Sequence, residues 1–110
     1  MVSARWAGEV IAESGDALLL REAGLAPVVY FPMEDVRMEV LFPTEHHTVC
    51  PFKGQASYWS IRVGDRQSDD IAWAYRDPLP GRADLQGRIA FYADRLEAVE
   101  MDAALRGGSG

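Results

Sequence analysis

Apolar and polar residues alternate over several short stretches of the chain. In the longest stretch, Gln55 to Val63, one face would carry Ala56, Tyr58, Ser60 and Arg62, and the other Ser57, Trp59, Ile61 and Val63. A period of two is typical of a β-strand. The turn Gly64-Asp65-Arg66 leads to a predicted partner strand, Asp70 to Tyr75, with Ile71, Trp73 and Tyr75 on one face.

Further strands are predicted on both sides of this pair. Glu9 to Glu13 and Ala17 to Glu22 are apolar runs separated by Ser14-Gly15-Asp16, a spacing that predicts a β-hairpin. Val28 to Phe31 is a β-branched and aromatic run stopped by Pro32, and Arg88 to Tyr92 is a similar run. The chain is therefore predicted to be mainly β.

Little regular structure is predicted for the remaining segments. Pro32 to Val36 has proline and acids suited to one helical turn. The polar stretch Thr44 to Thr48 indicates a loop, and Pro51 favours an extended Cys50. Residues 94–105 fit either a last strand or a C-terminal helix. Charged positions such as Arg21 and Glu22 are interpreted as solvated strand edges without a function.

Composition narrows the class of protein. A chain of 110 residues with 48% hydrophobic residues suits one domain, predicted over residues 1–105, with a Gly- and Ser-rich flexible tail at 106–110. A net charge of -6 opposes non-specific binding to nucleic acid or to an anionic membrane. With a single cysteine and no long apolar run, no internal disulfide and no membrane span are expected. A cytoplasmic location is predicted.

Several motifs, in order and spacing, resemble the DUF427 family, a domain of unknown function. The segments that carry the resemblance are Pro27-Val28-Val29-Tyr30-Phe31-Pro32, Asp35-Val36, Thr48-Val49-Cys50-Pro51-Phe52-Lys53-Gly54-Gln55-Ala56-Ser57-Tyr58-Trp59, Ala72-Trp73-Ala74-Tyr75-Arg76-Asp77-Pro78 and Ile89-Ala90-Phe91-Tyr92. The resemblance implies a β-tent-like fold of two antiparallel sheets meeting at a steep angle, with one or two short helical turns. It implies no settled activity.

Two properties associated with this resemblance do not suit the sequence. Many β-tent proteins hold zinc through paired cysteines, whereas this chain has Cys50 alone, so no metal and no cofactor are expected. The family is sometimes labelled nucleotidyltransferase-like, but no Gly-Ser or Gly-Gly loop precedes an Asp-x-Asp metal pair here. Ligand binding among aromatic side chains, another property of β-tent proteins, remains an expectation.

Cys50 is the candidate nucleophile. His46, His47 and Lys53 lie close to it in sequence, and an imidazole or ammonium group stabilises a thiolate. The alternative is that Cys50 is a small buried apolar residue. A metal site is not predicted, because neighbouring histidines on an extended segment point to opposite sides.

Lys53-Gly54 does not form a phosphate-binding loop. Such a loop needs Gly-Lys in that order, an earlier glycine and a following Ser or Thr, and Gln55 follows here. Two alternatives stay open for Lys53, an ion pair with Asp35 and a contact with ligand.

Aromatic residues give the main functional hypothesis. Rings with polar tips can line an apolar cleft and also bond to a ligand, although some of them are expected to be core. The predicted ligand-binding residues are Lys53, Tyr30, Asp35, Tyr58, Trp73, Tyr75 and Tyr92. The predicted function is binding of a small polar or cyclic ligand, with Lys53 at the rim of the pocket. The alternatives are a thiol-dependent enzyme using Cys50, with Lys53 or His47 as its partner, and an interaction module that forms a homodimer through a strand edge.

Overall fold

The computed structural model describes residues 1–101 and 107–109, which form two β-sheets. The small sheet has the strand order β2-β1-β9, and the large sheet has the order β10-β3-β4-β8-β7-β6-β5. The strands are β1 (Val2–Trp6), β2 (Glu9–Ser14), β3 (Leu18–Arg21), β4 (Val28–Pro32), β5 (Leu41–Cys50), β6 (Gly54–Val63), β7 (Arg66–Ala74), β8 (Arg88–Phe91), β9 (Ala98–Met101) and β10 (Gly107–Ser109). Neighbouring strands are antiparallel, apart from β10, which runs parallel to β3.

Helical structure in the described residues is limited to short 3₁₀ turns. They span Met33–Asp35, Met38–Val40, Pro80–Leu85 and Ala93–Arg95. The first confirms the helical turn predicted after Pro32. The mainly β prediction is confirmed, and none of these turns has the length or hydrophobicity to cross a membrane.

The predicted hairpin between Glu9–Glu13 and Ala17–Glu22 is wrong. β2 pairs with β1, whereas β3 pairs with β4 in the other sheet. Ala7 and Gly8 join β1 to β2 with φ of 52° and 76°, as a two-residue turn of mirror-image type requires. The Ser14 hydroxyl accepts a bond from the Asp16 N–H at 2.9 Å. The segment around Ser14 therefore turns the chain from one sheet into the other.

Side-chain alternation along β6 confirms its predicted faces. Trp59 and Ile61 lie in the core between the two sheets, where they join Val2, Trp6 and other residues of the small sheet. Ala56 and Tyr58 belong instead to a second cluster on the opposite face of the large sheet, which we call the outer face.

The predicted face of β7 is only partly correct. Trp73 and Tyr75 pack on the outer face, but Ile71 lies in the core between the sheets. Between the pairs Trp59↔Ala72 and Ile61↔Ser68, a single residue of β6 lies opposite residues 69–71 of β7. Asp70 has φ of 49° within this bulge, which interrupts the alternation.

Three further segments can be compared with what the sequence predicts, and one of them differs. Thr44 to Thr48 belongs to β5 rather than to a loop; β5 is the last strand in the order of the large sheet and its polar residues are mostly exposed. At the other end of the chain, 98–101 is a strand and 93–95 a 3₁₀ turn, whereas 102–105 lie outside the described residues. Within the segment predicted to be a tail, 107–109 form β10, and residues 106 and 110 lie outside the described part.

Candidate functional site

The outer face of the large sheet brings together most of the predicted site residues. Its buried cluster consists of Leu20, Tyr30, Ala56, Tyr58, Tyr75, Leu85 and Ala90, and Cys50 and Trp73 pack against it. We call Tyr30, Tyr58 and Tyr75 the tyrosine cluster. These three rings come from β4, from β6 and from the residue after β7, so the sheet itself sets their spacing.

An ion pair between Lys53 and Glu22 spans this face. The Lys53 Nζ lies 2.8 Å from Oε1 of Glu22 and 2.9 Å from its Oε2. Glu22 follows β3 and Lys53 precedes β6, and the strand order places β4, β8 and β7 between them. Strands lie about 4.8 Å apart, so a flat sheet would separate β3 from β6 by roughly 19 Å. The contact therefore shows that the sheet curves towards its outer face.

The turn between β5 and β6 positions Lys53. Cys50 pairs with Gly54, which leaves residues 51–53 as the turn. Gly54 has φ of 119°, and a Cβ atom there would lie 3.4 Å from the carbonyl oxygen of Asp77. The Leu79 N–H donates to the Lys53 carbonyl at 2.9 Å. The tip of this hairpin is thus held against the segment that follows β7.

The 3₁₀ segment Pro80–Leu85 then covers part of the cluster. Leu85 is fully buried in it, and Arg82 comes from the same segment. One nitrogen of the Arg82 guanidinium, NH2, donates to Asp84 at 3.1 Å, but its Nε is buried without a partner in the described residues. A buried donor without a partner is uncommon in folded proteins. Nothing in the sequence near Arg82 or Glu22 indicates a functional role for either residue.

The hydroxyl groups of the tyrosine cluster differ in their partners. Tyr58 and Thr48 share a hydrogen bond at 3.0 Å, and the Trp73 indole N–H donates to the Tyr30 hydroxyl at 3.4 Å. Tyr75 is only 8% exposed, but its hydroxyl keeps contact with solvent and has no hydrogen-bond partner among the described residues.

Burial governs the ionisation of these hydroxyls. Desolvation raises the pKa of Tyr75, and negative charge on Tyr30, Cys50, Tyr58 or Glu22 would raise it further. Burial also raises the pKa of Tyr30, although the bond from Trp73 and the charge of Arg82 oppose that rise. The Tyr75 hydroxyl is therefore a neutral hydrogen-bond donor at physiological pH, in the midst of these side chains.

An apolar groove adjoins the tyrosine cluster. The rings of Trp73 and Tyr92 are tilted against each other with centroids 4.6 Å apart, and both line the groove, whose volume is about 620 Å³. Its other lining residues are mostly apolar and include Leu25, Val29 and Leu96. Tyr92 is 37% exposed, and burial together with the neighbouring Tyr58 hydroxyl raises its pKa to about 12.

Cys50 has one close polar neighbour in the candidate site. Its Sγ lies 3.9 Å from the Lys53 Nζ, and the thiol is half-buried and free. His46 packs against the Tyr58 ring, while the His47 Nδ1 lies 3.5 Å from the Ser57 hydroxyl. Within the described residues no three His, Cys, Asp or Glu side chains are grouped so as to hold a metal ion.

Asp35 is not brought together with the other predicted site residues. Its carboxylate accepts a hydrogen bond from the Ser14 hydroxyl at 2.6 Å, and the adjacent Val36 lies in the core between the sheets. The alternative in which Lys53 pairs with Asp35 is therefore wrong, because Lys53 pairs with Glu22.

The fold and this face define a two-sheet β domain with buried tyrosines under an ion pair. The family model described as a domain of unknown function, DUF427, matches residues 1–103. The chain belongs to that family, as its sequence motifs suggested. No curated protein matches the chain.

Proposed function

We propose that this protein binds a small polar or cyclic ligand. The cyclic part of the ligand lies in the groove beside Trp73 and Tyr92, and its polar group points towards the tyrosine cluster and Lys53. One observation carries the proposal: Trp73 lines the apolar groove, and its indole N–H donates to the Tyr30 hydroxyl in the tyrosine cluster. One side chain thus joins an apolar surface to a set of polar groups.

The dimensions and chemistry of the groove support this function. Ligand sites usually have volumes of about 300–1,000 Å³, apolar walls and a small number of polar groups. The groove has a volume of about 620 Å³ and mostly apolar walls. Aromatic rings such as those of Trp73 and Tyr92 offer flat apolar surface to a cyclic compound.

A fragment screen tests the proposal. Cyclic compounds with one polar substituent are screened by ligand-observed NMR, and hits are then titrated against Trp73→Leu. We expect this substitution to weaken binding by at least about tenfold, because it removes the shared indole. Phe42→Leu is the matched control, since Phe42 is exposed and does not line the groove. A hit whose affinity is the same for wild type and Trp73→Leu would contradict the proposed site.

The second candidate is a thiol-dependent enzyme. The Cys50–Lys53 contact of 3.9 Å favours it, because an ammonium group stabilises a thiolate. Ligand binding remains the preferred function, since the Glu22 carboxylate already neutralises Lys53. Labelling of the folded protein with a substrate-like electrophile at Cys50, followed by turnover, would favour the enzyme.

The interaction module is the third alternative. β5 ends the strand order of the large sheet, and a homodimer through a strand edge would use it. Light scattering across a range of concentrations tests this alternative. The proposal also places the protein in the cytoplasm, without nucleic-acid or membrane partners, in keeping with its acidic charge and single cysteine.

A further inference from the structure

We infer that the ligand carries an anionic oxygen group and that Glu22 holds the place of this group on Lys53 in the free protein. The inference rests on the proposed function and adds the chemical class of the ligand. It also assigns a role to Glu22, Tyr75 and Arg82 that the proposed function does not require.

Two hydrogen-bond donors beside the outer face lack an acceptor in the described part of the chain. The Arg82 Nε is buried without a partner in the described part of the chain, and the Tyr75 hydroxyl, which keeps contact with solvent, donates to none of the described residues. Tyr75 belongs to the same buried cluster as Tyr30 and Leu85, and Arg82 comes from the segment that carries Leu85, close enough for its charge to affect the Tyr30 hydroxyl. With the Lys53 ammonium they form a set of donors suited to the oxygen atoms of a carboxylate or phosphate.

Of the two partners in the ion pair, Glu22 is the one that a ligand can displace. Both of its carboxylate oxygens lie within 2.9 Å of the Lys53 Nζ, which is how a ligand carboxylate would bind. However, the Glu22 side chain is 37% exposed, whereas the Lys53 side chain is 10% exposed. Glu22 also begins a connection in which residues 23–27 are all exposed. Rotation into solvent would therefore restore water around Glu22 without unfolding the sheet.

Exchange of one anion for another explains why the ligand should be charged. If Glu22 left without a replacement, the buried ammonium of Lys53 would lose its counter-charge. An incoming anion keeps Lys53 paired and also gives acceptors to Tyr75 and Arg82. A neutral ligand does neither, so it has no means of displacing Glu22.

The experiment compares benzoate, phenyl phosphate and benzamide, which share a ring and differ in the polar group. Dissociation constants are measured by ligand-observed NMR for wild type, Glu22→Gln and Glu13→Gln. Glu13 is exposed on β2 and gives the same change in net charge. We expect Glu22→Gln to bind an anionic probe about tenfold more tightly, because the competing carboxylate is gone. Glu13→Gln should bind as wild type does, and benzamide should not distinguish the three proteins.

The preferred probe identifies the anion. Tighter binding of benzoate indicates a carboxylate ligand, and tighter binding of phenyl phosphate indicates a phosphate. The gain should disappear in Glu22→Gln combined with Lys53→Met. If that double variant does not fold, Tyr75→Phe in the Glu22→Gln background serves instead, and we expect a severalfold loss of affinity there.

Two results would overturn the inference. One is an equal affinity of wild type and Glu22→Gln for the anionic probes, and the other is no binding of either anion to any variant. Binding of benzamide shows whether only the anion site is wrong or the proposed function fails as well. If benzamide binds and Trp73→Leu weakens it, the groove is a ligand site although the anion site is wrong. If benzamide binds independently of Trp73, the groove assignment fails as well.

Discussion

Glu22 and Lys53 form an ion pair at 2.8 Å although β4, β8 and β7 lie between the strands to which they are attached. The pair spans the curved outer face of the large sheet, above three tyrosines that come from separate parts of the chain. Among the described residues Lys53 is the one charged residue that is buried, at 8% exposure. Its only carboxylate partner in the described residues comes from the far side of the face. The curvature of the sheet, the burial of Lys53 and its ion pair with Glu22 therefore depend on one another.

Lys53→Met should destabilise the protein by about 1 kcal/mol, because it removes the ion pair with Glu22, whose carboxylate can still turn into solvent. A double-mutant cycle with Glu22→Gln measures the pair itself. We expect a coupling of about 1 kcal/mol, since Glu22 is partly solvated. Urea denaturation gives each free energy of unfolding. Arg37→Met removes two exposed ion pairs, those of Arg37 with Glu39 and with Glu9, and should cause no measurable change. A coupling near zero would show that the ion pair does not stabilise the curved sheet.

Tyr75→Phe and Tyr58→Phe should have opposite effects on stability. The Tyr75 hydroxyl has no partner among the described residues, so its removal should be neutral or stabilising by up to about 1 kcal/mol. Tyr58→Phe breaks the hydrogen bond with Thr48 and should cost about 0.5–1.5 kcal/mol. Urea unfolding of the two variants checks the difference. A large loss of stability in Tyr75→Phe would show that its hydroxyl is bonded in solution.

Stability should fall above pH ~10, where an unshifted tyrosine ionises. Burial raises the pKa of Tyr30, Tyr75 and Tyr92 in the folded protein, that of Tyr92 to about 12. Above pH ~10 the unfolded chain therefore loses these protons first, and the folded state binds more of them. The stabilisation is fully present below pH ~10 and is lost as the pH rises through the folded-state pKa values.

Urea unfolding measured on both sides of pH ~10 tests this prediction. Tyr75→Phe is the informative variant, because it removes one retained proton and should flatten the decline. An unchanged slope in Tyr75→Phe would mean that Tyr75 ionises equally easily in the folded and unfolded chain. Absorbance of tyrosinate during the same titration should show that Tyr30, Tyr75 and Tyr92 ionise later in the folded protein than in the unfolded chain.

Local patterns were sufficient to predict part of this fold. Alternation in Gln55 to Val63 predicted which residues of β6 face each side, because a regular strand has a fixed period. The prediction for Ile71 failed because the bulge at Asp70 follows from pairing with β6, which is not a local property. The hairpin predicted around Ser14-Gly15-Asp16 failed for a related reason. A turn-forming sequence indicates a change of direction without specifying which strands then pair.

The sequence predicts most residues of the candidate site but not the contacts that they make. The chemistry of aromatic rings with polar tips predicts the site, and the structure places four of them on one face: Tyr30, Tyr58, Trp73 and Tyr75. Glu22 was interpreted as a solvated strand edge, because nothing near it in sequence indicates a partner. The partner lies 31 residues away and is reached only through the curvature of the sheet. The neighbours of Arg82 likewise depend on how the 3₁₀ segment Pro80–Leu85 packs over the cluster, which the local sequence does not indicate.

Gly54→Ala should destabilise the protein by about 1–3 kcal/mol. Its φ of 119° is unfavourable for alanine, and the added Cβ would lie 3.4 Å from the Asp77 carbonyl oxygen. Gly64→Ala is the matched control, because Gly64 also has positive φ, 58°, but no atom lies within 4 Å of the added Cβ. We expect the control to cost less, as judged by thermal unfolding. Equal losses would mean that contact with the segment after β7 contributes nothing beyond the backbone strain.

Alkylation of Cys50 reports on the charge state of its surroundings. Glu22 neutralises Lys53 in the folded protein, and Lys53 lies 3.9 Å from the Cys50 Sγ. Glu22→Gln leaves the ammonium without its counter-charge and should attract an anionic reagent. We expect the rate with iodoacetate, relative to that with neutral iodoacetamide, to rise about two- to fivefold. Using the ratio of the two rates removes changes in exposure of the thiol, because both reagents must reach the same atom.

Glu13→Gln is again the control, since it changes the net charge equally but lies on β2 of the small sheet. Its ratio of rates should match that of wild type. An equal rise in both variants would show that the reagent responds to net charge rather than to Lys53. If Cys50 reacts with neither reagent until the protein is denatured, the thiol-enzyme alternative is wrong, because a catalytic thiol must be reached by its substrate.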